Sequence, residues 1–587
     1  MMFPAQRARW MRGAVLLAAL CACSADEGAE PAREGSPPAA ARRAPAVDPL
    51  PLDAAGRAWV DEQLDAMDVR ARVAQLVFPW ISGREAPDEA ARLARWAGEE
   101  RVGGVIVSTG TPRAIAAKLN AAQGRARVPL LVISDLETGP GMRLTPGGTH
   151  MPAAMAFGAA GDEGLAREAG RITGVEARAV GIHATLGPIL DVQSDPANPI
   201  INVRSFGEDP RLVARLGTAW AEGAREGGLL VVGKHFPGHG GTSSDSHVGR
   251  VVVRADSARL FANELVPFRR AVESGMAGML VGHIAATGLE GEDAPPASLS
   301  RRMTMGVLRG SLGFRGLVVT DALNMGAVTR DHTPAEASIL ALLAGADVLL
   351  QPPGPETVID QIVRAVESGR VPRARLDDAA RRVLTAKAVA GLHRGARTDP
   401  AAIATRVGAE PHRAVAQRVA DRSIVLHRDA KGLLPLKRGA RVLHVTYSRT
   451  GRGPAGATLQ RHLAEGGIAA EHVRVSPSTP ATAFTRLAAR ARRAEVLLVS
   501  AEVAPFQYQS LGVSGGFAPF VQAAARAGVP TVAVSLGSPY LVNAFPAVGT
   551  YVLAWGPHAV SERAAARGLT GAQPFLGRLP VTIPAPR

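Results

Sequence analysis

The sequence predicts an α/β protein: a (β/α)8 TIM-like barrel over residues 53–395, followed by a doubly wound α/β sandwich domain over 426–587. Two observations predict the barrel. Short apolar runs alternate with amphipathic segments of helix length, and polar residues follow several of those runs directly. Further apolar runs with helical segments between them predict an open parallel sheet in the second domain.

The N-terminal segment has the charge pattern of an export signal. Arginines at positions 7, 9 and 12 precede an apolar run, Ala14–Leu20, that is too short to span a bilayer. The tetrapeptide Leu20-Cys21-Ala22-Cys23 resembles the lipobox of bacterial lipoproteins. This resemblance implies a signal peptide at residues 1–22, lipidation of Cys23 and an exported, membrane-anchored protein. Ser24 favours the outer membrane or its periplasmic face if the host is Gram-negative.

A disordered tether is predicted to follow the anchor. Residues 23–52 are mainly Ala, Pro, Gly, Arg and Glu, a composition that cannot bury a core. Both cysteines lie in the leader segment, so the folded part has no disulfide to form. No later apolar stretch is long enough for a membrane span.

The chain is strongly basic, with a formal net charge of +15 and 62 arginines against five lysines. The arginines do not form the aromatic-rich or arginine-rich blocks that grip nucleic acid, so no nucleic-acid partner is predicted. We interpret the excess as a general bias that helps the protein approach anionic envelope polymers. This hypothesis predicts that retention on isolated cell wall is sensitive to salt.

Seven apolar runs are predicted to form barrel strands. They are Gly103–Val107, Pro129–Ile133, the stretch Gly181–Leu190, Leu229–Val232, Gly278–Val281, Leu317–Val319 and Ala346–Leu350. Polar side chains follow five of them, namely Asp135, Asp191, the pair Lys234 and His235, His283 and Asp321. Because the carboxyl ends of barrel strands form the catalytic face, these residues predict a site there.

The stretch from residue 234 to 247, KHFPGHGGTSSDSH, concentrates ionisable side chains in a glycine-rich turn and holds three of the 14 histidines. Asp245 and His247 are close enough for the carboxylate to hold one imidazole nitrogen and leave the other for proton transfer. Two alternatives stay open. The histidines could ligate a metal, although the prolines and glycines forbid the helix on which such pairs usually sit. His239 could simply stabilise the loop by a hydrogen bond.

These motifs stand in the order found in glycoside hydrolase family 3, and the chain resembles the β-N-acetylhexosaminidase branch of that family across residues 57–395. The matching segments are Trp59–Leu76, Asp135–Arg143, Asn202–Pro210, Lys234–His247, Glu264–Phe268, Pro296–Ser300, Leu312–Met325 and Ala344–Asp347. The chain departs from the usual pattern of the branch at Leu136, Thr138 and Ala322. These departures bear on substrate preference more than on the type of reaction.

The resemblance assigns the catalytic roles. Asp321, in Thr-Asp-Ala, matches the nucleophile, and a retaining glycosidase needs an ionised carboxylate there to form a glycosyl-enzyme intermediate. Asp245 and His247 match the acid/base dyad of the branch. In that role His247 would protonate the leaving oxygen and later deprotonate water, while Asp245 fixes its tautomer. An alternative role for Asp321 is the N-cap of a helix.

The resemblance also assigns five residues to subsite −1, where the terminal sugar binds. They are Asp135, Arg143, Arg204, Lys234 and His235. A carboxylate accepts sugar hydroxyl hydrogens, and Arg and Lys donate to hydroxyl and acetamido oxygens. For Arg204, a structural salt bridge with Glu208 or Asp209 is an alternative. We expect Asp191 and His283 to support the site or the fold.

The second domain, reached through a linker at 396–425, resembles the second domain of two-domain family 3 enzymes. Its predicted strands are Arg441–Tyr447, Glu495–Ser500, Thr531–Leu536 and Thr550–Trp555. In many glucosidases of the family this domain lends an acid/base carboxylate, which the dyad makes unnecessary here. Glu502 is the candidate if the dyad assignment fails. No P-loop motif occurs, so nucleotide binding is not predicted.

These assignments predict a retaining exo-β-N-acetylglucosaminidase that removes terminal N-acetylglucosamine from β-linked glycans, with peptidoglycan fragments as substrate. The resemblance implies no metal and no organic cofactor. The alternatives are a β-glucosidase or β-xylosidase of the same family, a phosphorylase that uses phosphate as the acceptor, and an inactive cell-wall-binding lipoprotein on the same scaffold. Sugar preference, phosphate dependence and binding without turnover distinguish them.

Overall fold

The computed structural model describes residues 47–450, 453–505 and 511–585. The predicted signal peptide, the lipidation site Cys23 and most of the tether lie outside the described residues. The predicted tether is too long at its C-terminal end, because Leu50 is buried and Leu52 packs against the core. No helix of the described segments is long and apolar enough to cross a bilayer.

The first part of the described chain alternates strands with helices. The strands are β1 (Val77–Phe78), β2 (Trp80–Ile81), β3 (Gly104–Val107), β4 (Leu131–Ser134), β5 (Ala184–Ile189), β6 (Leu230–Phe236), β7 (Val251–Val252), β8 (Gly278–Val281), β9 (Ile284–Ala285), β10 (Leu317–Thr320) and β11 (Leu349–Leu350). The helices are α1 (Ala54–Asp65), α2 (Val69–Ala74), α3 (Pro87–Arg95), α4 (Pro112–Gln123), α5 (Ala154–Ala160), α6 (Glu163–Ala179), α7 (Pro210–Glu226), α8 (Ser257–Ala262), α9 (Val266–Glu273), α10 (Thr287–Glu290), α11 (Gly326–Thr329), α12 (Pro334–Ala344), α13 (Pro355–Glu367) and α14 (Arg373–Val389). Short 3-10 turns cover Pro140–Met142, Asn202–Arg204, Ala297–Leu299 and Leu392–Arg394, and π-helical turns cover Trp96–Glu100 and Arg302–Ser311.

Several of these helices begin at a side chain that caps their first turn. Asp and Thr oxygens accept a backbone N–H there, which satisfies a donor that the helix itself cannot pair. The capping residues are Asp53, Asp68, Thr111, Asp162, Asp209, Asp256 and Thr333. These side chains therefore set where the helices start on the outside of the sheet.

The strands close into a barrel. In the order β10-β8-β6-β5-β4-β3-β2 they form a parallel sheet. Strand β1 pairs with β11, and a parallel bridge between Val319 and Val348 joins β10 to the chain entering β11. Because only Pro79 separates β1 from β2, these pairings complete the ring. The predicted (β/α)8-like barrel is confirmed.

Two details of the strand prediction are wrong. The first barrel strand, Val77–Ile81, is absent from the prediction because Pro79 interrupts an already short run. Strand β6 extends to Phe236 rather than ending at Val232, so Lys234 and His235 lie inside the strand and not beyond it. The prolines and glycines that end the strand come after Lys234 and His235 in the chain.

The second part of the described chain continues the alternation. It holds α15 (Ala401–Arg406), α16 (Glu410–Ser423), β12 (Val425–Asp429), β13 (Arg441–Ser448), α17 (Ala457–Glu465), β14 (Ala469–Val475), α18 (Ala481–Ala491), β15 (Val496–Glu502), α19 (Phe517–Arg526), β16 (Thr531–Ser535), a 3-10 turn (Pro539–Ala544), β17 (Thr550–Leu553) and α20 (Ala559–Leu569). Helix α16 lies in the segment predicted as the linker.

The second sheet is doubly wound. Its order is β12-β17-β16-β15-β13-β14, with β12 antiparallel to β17 and the other pairs parallel. The order reverses at β13, which is the position where such sheets open a crevice at the strand ends. There the N-terminus of α17 meets an acid of its own chain, since Leu459 N–H donates to Oε2 of the buried Glu562 at 2.8 Å.

Candidate functional site

The carboxyl ends of the barrel strands gather the predicted site residues. Asp135 directly follows β4, and Asp321 directly follows β10. Lys234 and His235 occupy the last part of β6, and His283 lies just beyond β8. Because these strands are parallel and close into one barrel, their ends meet at a single rim, where TIM-barrel enzymes carry their active sites.

A network of five charged side chains forms one side of this rim. The ammonium of the buried Lys234 donates to Asp135 Oδ1 at 2.7 Å and lies 2.6 Å from Glu137 Oε1. Arg143 donates to Asp135 Oδ2 at 3.0 Å. Arg204 donates two hydrogen bonds to the Glu137 carboxylate, from Nε at 2.8 Å and from Nη2 at 2.9 Å. The network thus joins two carboxylates to three cations.

Burial and neighbouring charges oppose each other in the network. Burial alone would raise the pKa of Glu137, but Arg204 and Lys234 hold it well below its ordinary value. Burial likewise opposes the lowering of the Asp135 pKa by Lys234 and Arg143. The pKa of Lys234 is raised, because the two carboxylates outweigh burial, which favours the neutral amine. These groups therefore stay charged at neutral pH and present fixed donors and acceptors to a polar ligand.

Asp191 supports the neighbouring His235. It is fully buried, and its Oδ2 lies 2.7 Å from His235 Nδ1, while its Oδ1 accepts the backbone N–H of His239 at 2.6 Å. Burial would raise the pKa of Asp191, but the adjacent histidines lower it. The ionised carboxylate therefore fixes the ring of His235 and the start of the glycine-rich turn. His239 is itself hydrogen-bonded within that turn, to Thr242 and Ser246.

Asp245 and His247 are in contact, as their spacing predicts. Asp245 Oδ1 lies 2.7 Å from His247 Nδ1 and also accepts the backbone N–H of His247 at 2.9 Å. The His247 side chain is 25% exposed, so a ligand can reach the ring. A backbone hydrogen bond from Gly326 N–H to the His247 carbonyl, at 3.1 Å, ties this turn to the segment that follows Asp321.

Asp321 is partly exposed at the rim among three imidazoles. Burial would raise its pKa, but His283, His235 and His247 together lower it, so the carboxylate is ionised at neutral pH. His283 is held between Ser298 Oγ at 2.7 Å and the Ala322 carbonyl at 3.0 Å. Asp321 offers an ionised carboxylate, and His247, held by Asp245, offers an orientated imidazole. Acid/base-assisted nucleophilic substitution requires these two groups.

Comparison with known proteins identifies the family. Residues 68–386 match the profile of the glycosyl hydrolase family 3 N terminal domain. The chain belongs to glycoside hydrolase family 3. The predicted relationship to the β-N-acetylhexosaminidases of this family is also confirmed, because curated members of that type are among its relatives.

Two relatives and two solved structures illustrate how far the likeness of this family 3 chain extends. A β-N-acetylglucosaminidase/β-glucosidase of Cellulomonas fimi is 31% identical over 91% of the chain and 97% of the relative. The β-hexosaminidase LpqI of Mycobacterium tuberculosis is 33% identical over 64% of the chain and 95% of the relative. A family 3 β-N-acetylglucosaminidase structure from Paenibacillus sp. str. FPU-7 superposes with a TM-score of 0.81 at 31% identity, covering 89% of this chain and all of that one. The β-glucoside phosphorylase BglX bound to 2FGlc superposes with a TM-score of 0.83 at 26% identity, covering 91% and 98%.

Sequence reasoning missed one member of the charged network of this family 3 site. Glu137 lies two residues after Asp135, just beyond the same strand, and its position near that strand end is the signal that could have found it. The alternative role for Arg204, a salt bridge with Glu208 or Asp209, is wrong, because Arg204 pairs with Glu137. Asp209 instead caps helix α7.

Helix capping is excluded as the role of Asp321. Helix α11, the first after this residue, begins at Gly326 and has Met325 as its N-cap.

The geometry also bears on metal binding by the histidine-rich turn. In the described part of the chain, no group of three or more His, Cys, Asp or Glu side chains is arranged to hold a metal ion.

Glu502 lies at the end of β15, next to Ser448 in the second sheet. Burial and the nearby Glu562 raise the pKa of Glu502 to about 7, against a smaller opposing effect of a hydrogen bond with Ser448. Its protonation is therefore governed by groups of the second domain.

Proposed function

We propose that the protein is a retaining exo-β-N-acetylglucosaminidase that acts on peptidoglycan fragments while anchored to a membrane through Cys23. The observation that carries the proposal is the 2.7 Å contact between Asp245 and His247 beside the ionised Asp321. It supplies a nucleophile and a separately held proton carrier. The acetamido sugar and the envelope location are supported by the names of the relatives and by the leader sequence.

In the first step, an Asp321 carboxylate oxygen attacks the anomeric carbon and forms an ester. The bond from that carbon to the glycosidic oxygen breaks, and the protonated His247 transfers a proton from its ring to the departing oxygen. Asp245 engages Nδ1, so Nε2 is the atom that carries this proton.

In the second step, neutral His247 removes a proton from water as the water oxygen attacks the anomeric carbon. The ester bond breaks and Asp321 leaves as a carboxylate, so two inversions give net retention. The network around Lys234 holds the sugar during both steps. Its cations donate to hydroxyl and acetamido oxygens, and Asp135 accepts hydroxyl hydrogens.

The test is turnover of 4-nitrophenyl N-acetyl-β-D-glucosaminide and of the matching glucoside by the chain from Val47 onward. We expect preference for the acetamido substrate, loss of activity in Asp321→Asn, and a fall of about 10²–10⁴-fold in His247→Ala. Binding of N-acetylglucosamine by both the wild type and Asp321→Asn, with no turnover by either, would favour the inactive binding protein. Preference for the glucoside would move the acid/base role to Glu502.

The acceptor and the location are tested in parallel. Release of N-acetylglucosamine without dependence on phosphate supports hydrolysis, whereas a phosphate-dependent rate with N-acetylglucosamine 1-phosphate as product would identify a phosphorylase. Cys23→Ser should move the full-length protein from the membrane fraction to the soluble fraction. Equal membrane retention of both forms would contradict the anchor.

A further inference from the structure

Two long loops carry most of the charged network of subsite −1. The 135–151 loop, between β4 and α5, carries Asp135, Glu137 and Arg143, and the 191–209 loop, between β5 and α7, carries Arg204. Connections between a strand and the next helix usually have only about 2–6 residues. Loops of this length need contacts beyond their own ends if their side chains are to be held to the precision that catalysis requires.

The chain after the barrel holds the 191–209 loop through residues 580–582. Glu208 N–H donates to the Pro580 carbonyl at 3.0 Å. In return, the Glu208 carboxylate accepts the Thr582 N–H at 2.7 Å and the Thr582 hydroxyl at 2.6 Å. Three hydrogen bonds therefore clamp Glu208 only four residues beyond Arg204.

The 135–151 loop is held through the buried Glu176 of helix α6. Glu176 accepts the Thr149 N–H at 2.9 Å and the Thr149 hydroxyl at 2.6 Å. The same carboxylate lies 2.8 Å from Nδ1 of His412, on helix α16 of the linker. The Thr149 carbonyl in turn accepts the Gly141 N–H at 2.9 Å, which passes the restraint to the turn before Arg143.

A ring contact adds to this second attachment. His150, next to Thr149, stacks on His558 of the second domain, with ring centroids 5.1 Å apart and planes at 25°. Burial and the nearby His150 lower the pKa of His558 to about 4, so the two rings meet uncharged at neutral pH. The linker and the second domain thus both contact the loop that carries three of the five network residues.

We propose that the linker and second domain act as a positioning device for subsite −1, through Thr582 on Glu208 and through His412 on Glu176. This inference rests on the proposed function only in taking the charged network as the sugar subsite. None of these four residues belongs to the network or contacts the reacting atoms. They are positioning residues, whose effect reaches the sugar through Arg204, Asp135 and Arg143.

The first experiment deletes one hydroxyl without changing the shape of the side chain. Thr582→Val removes the 2.6 Å hydrogen bond to Glu208, and Thr550→Val is the matched control, because it removes a 2.7 Å bond from a Thr hydroxyl to Asp429 inside the second domain. For Thr582→Val we expect KM for the preferred 4-nitrophenyl glycoside to rise about three- to tenfold, the worth of one hydrogen bond, with kcat within about twofold. For Thr550→Val we expect a lower thermal midpoint and unchanged KM.

The second experiment uses rescue at the linker contact. His412→Ala should raise KM by a similar factor, and His412→Asn should restore it, since the Asn amide nitrogen can take the place of Nδ1. Direct binding of the corresponding free monosaccharide, measured by calorimetry, should weaken by the same factor as KM rises. A parallel change in both quantities identifies an effect on the subsite.

Unchanged KM and monosaccharide affinity in Thr582→Val and His412→Ala, whatever their thermal midpoints, would overturn the proposal and leave these contacts with a purely structural role. An equal KM increase in Thr550→Val would overturn it too, because the effect would then be general loosening of the second domain. Failure of the proposed function is separate, since it appears as a different preferred glycoside in the wild type. The same variants compared on that glycoside still test the positioning.

Discussion

The carboxylate of Glu137 provides the sharpest test of the charged network, because sequence reasoning did not assign it a role. Its side chain is 10% exposed and pairs with Arg204 twice and with Lys234 once. Glu137→Ala leaves the buried Lys234 and the partly buried Arg204 without this partner. Glu137→Gln keeps the shape and one carbonyl acceptor but removes the charge.

The magnitude follows from the burial of these ions. Removing one partner of a buried ion pair costs about 3–5 kcal/mol, because the remaining charge stays desolvated. We expect Glu137→Ala to lower the free energy of unfolding by about that amount and Glu137→Gln by roughly half, since one of the acceptor oxygens survives. Lys234 loses one of the two carboxylates that raise its pKa, so the pKa of its ammonium falls, and the ammonium keeps only Asp135 as an anionic partner.

Urea unfolding and kcat/KM for the acetamido substrate measure these effects together. The matched control is Glu226→Gln, which changes an Arg–Glu pair of the same kind on the surface, where Arg167 and Glu226 are 51% and 43% exposed. Exposed pairs contribute little, so we expect the control to match the wild type in both measurements. If Glu137→Gln has the same free energy of unfolding and the same kcat/KM as the wild type, the assignment of Glu137 to the network is refuted.

Two further predictions concern Asp191 and the pH dependence of stability. Asp191→Asn should lower kcat/KM about 10²-fold, the cost of misplacing a group of the site. The reason is that His235 and the His239 backbone lose the ionised carboxylate that holds them. A kcat/KM equal to that of the wild type would contradict this role of Asp191. Burial and the nearby His472 lower the pKa of His444 from 6.5 to about 3, so the unfolded chain binds a proton that the folded chain excludes. Stability should therefore fall as pH drops from 6.5 towards 3, with about 1.4 kcal/mol per pH unit from this group. Urea unfolding at pH 7, 6 and 5 should give a smaller slope for His444→Gln, and an equal slope would count against the assignment.

Much of the fold is predictable from the sequence because the barrel strands are continuous apolar runs. The exceptions have local causes: Pro79 hides the first strand, and the polar Lys234 and His235 disguise the end of β6. Burial on both faces allows a strand to carry such residues when partners such as Asp135 and Asp191 neutralise them. Those partners lie 99 and 44 residues away, which no local pattern can reveal.

The site was predictable where the chemistry is local and unpredictable where it depends on folding. The Asp245–His247 contact follows from a spacing of two residues, and the structure places the two side chains together. The pairing of Arg204 with Glu137 spans 67 residues, so nearby Glu208 and Asp209 were the natural candidates. Glu208 instead accepts a hydrogen bond from Thr582, which lies 374 residues further along the chain. Only the packing of the second domain creates this contact.

The buried Glu562 at the N-terminus of α17 has a consequence for the evolution and engineering of the second domain. Helix N-termini at the reversal point of a doubly wound sheet are ready-made phosphate sites. Here the chain brings its own carboxyl group, so an incoming phosphate would meet the Glu562 side chain where it needs bare N–H groups. Glu562→Ala would vacate that position and offer designers a starting point for a phosphate-responsive variant.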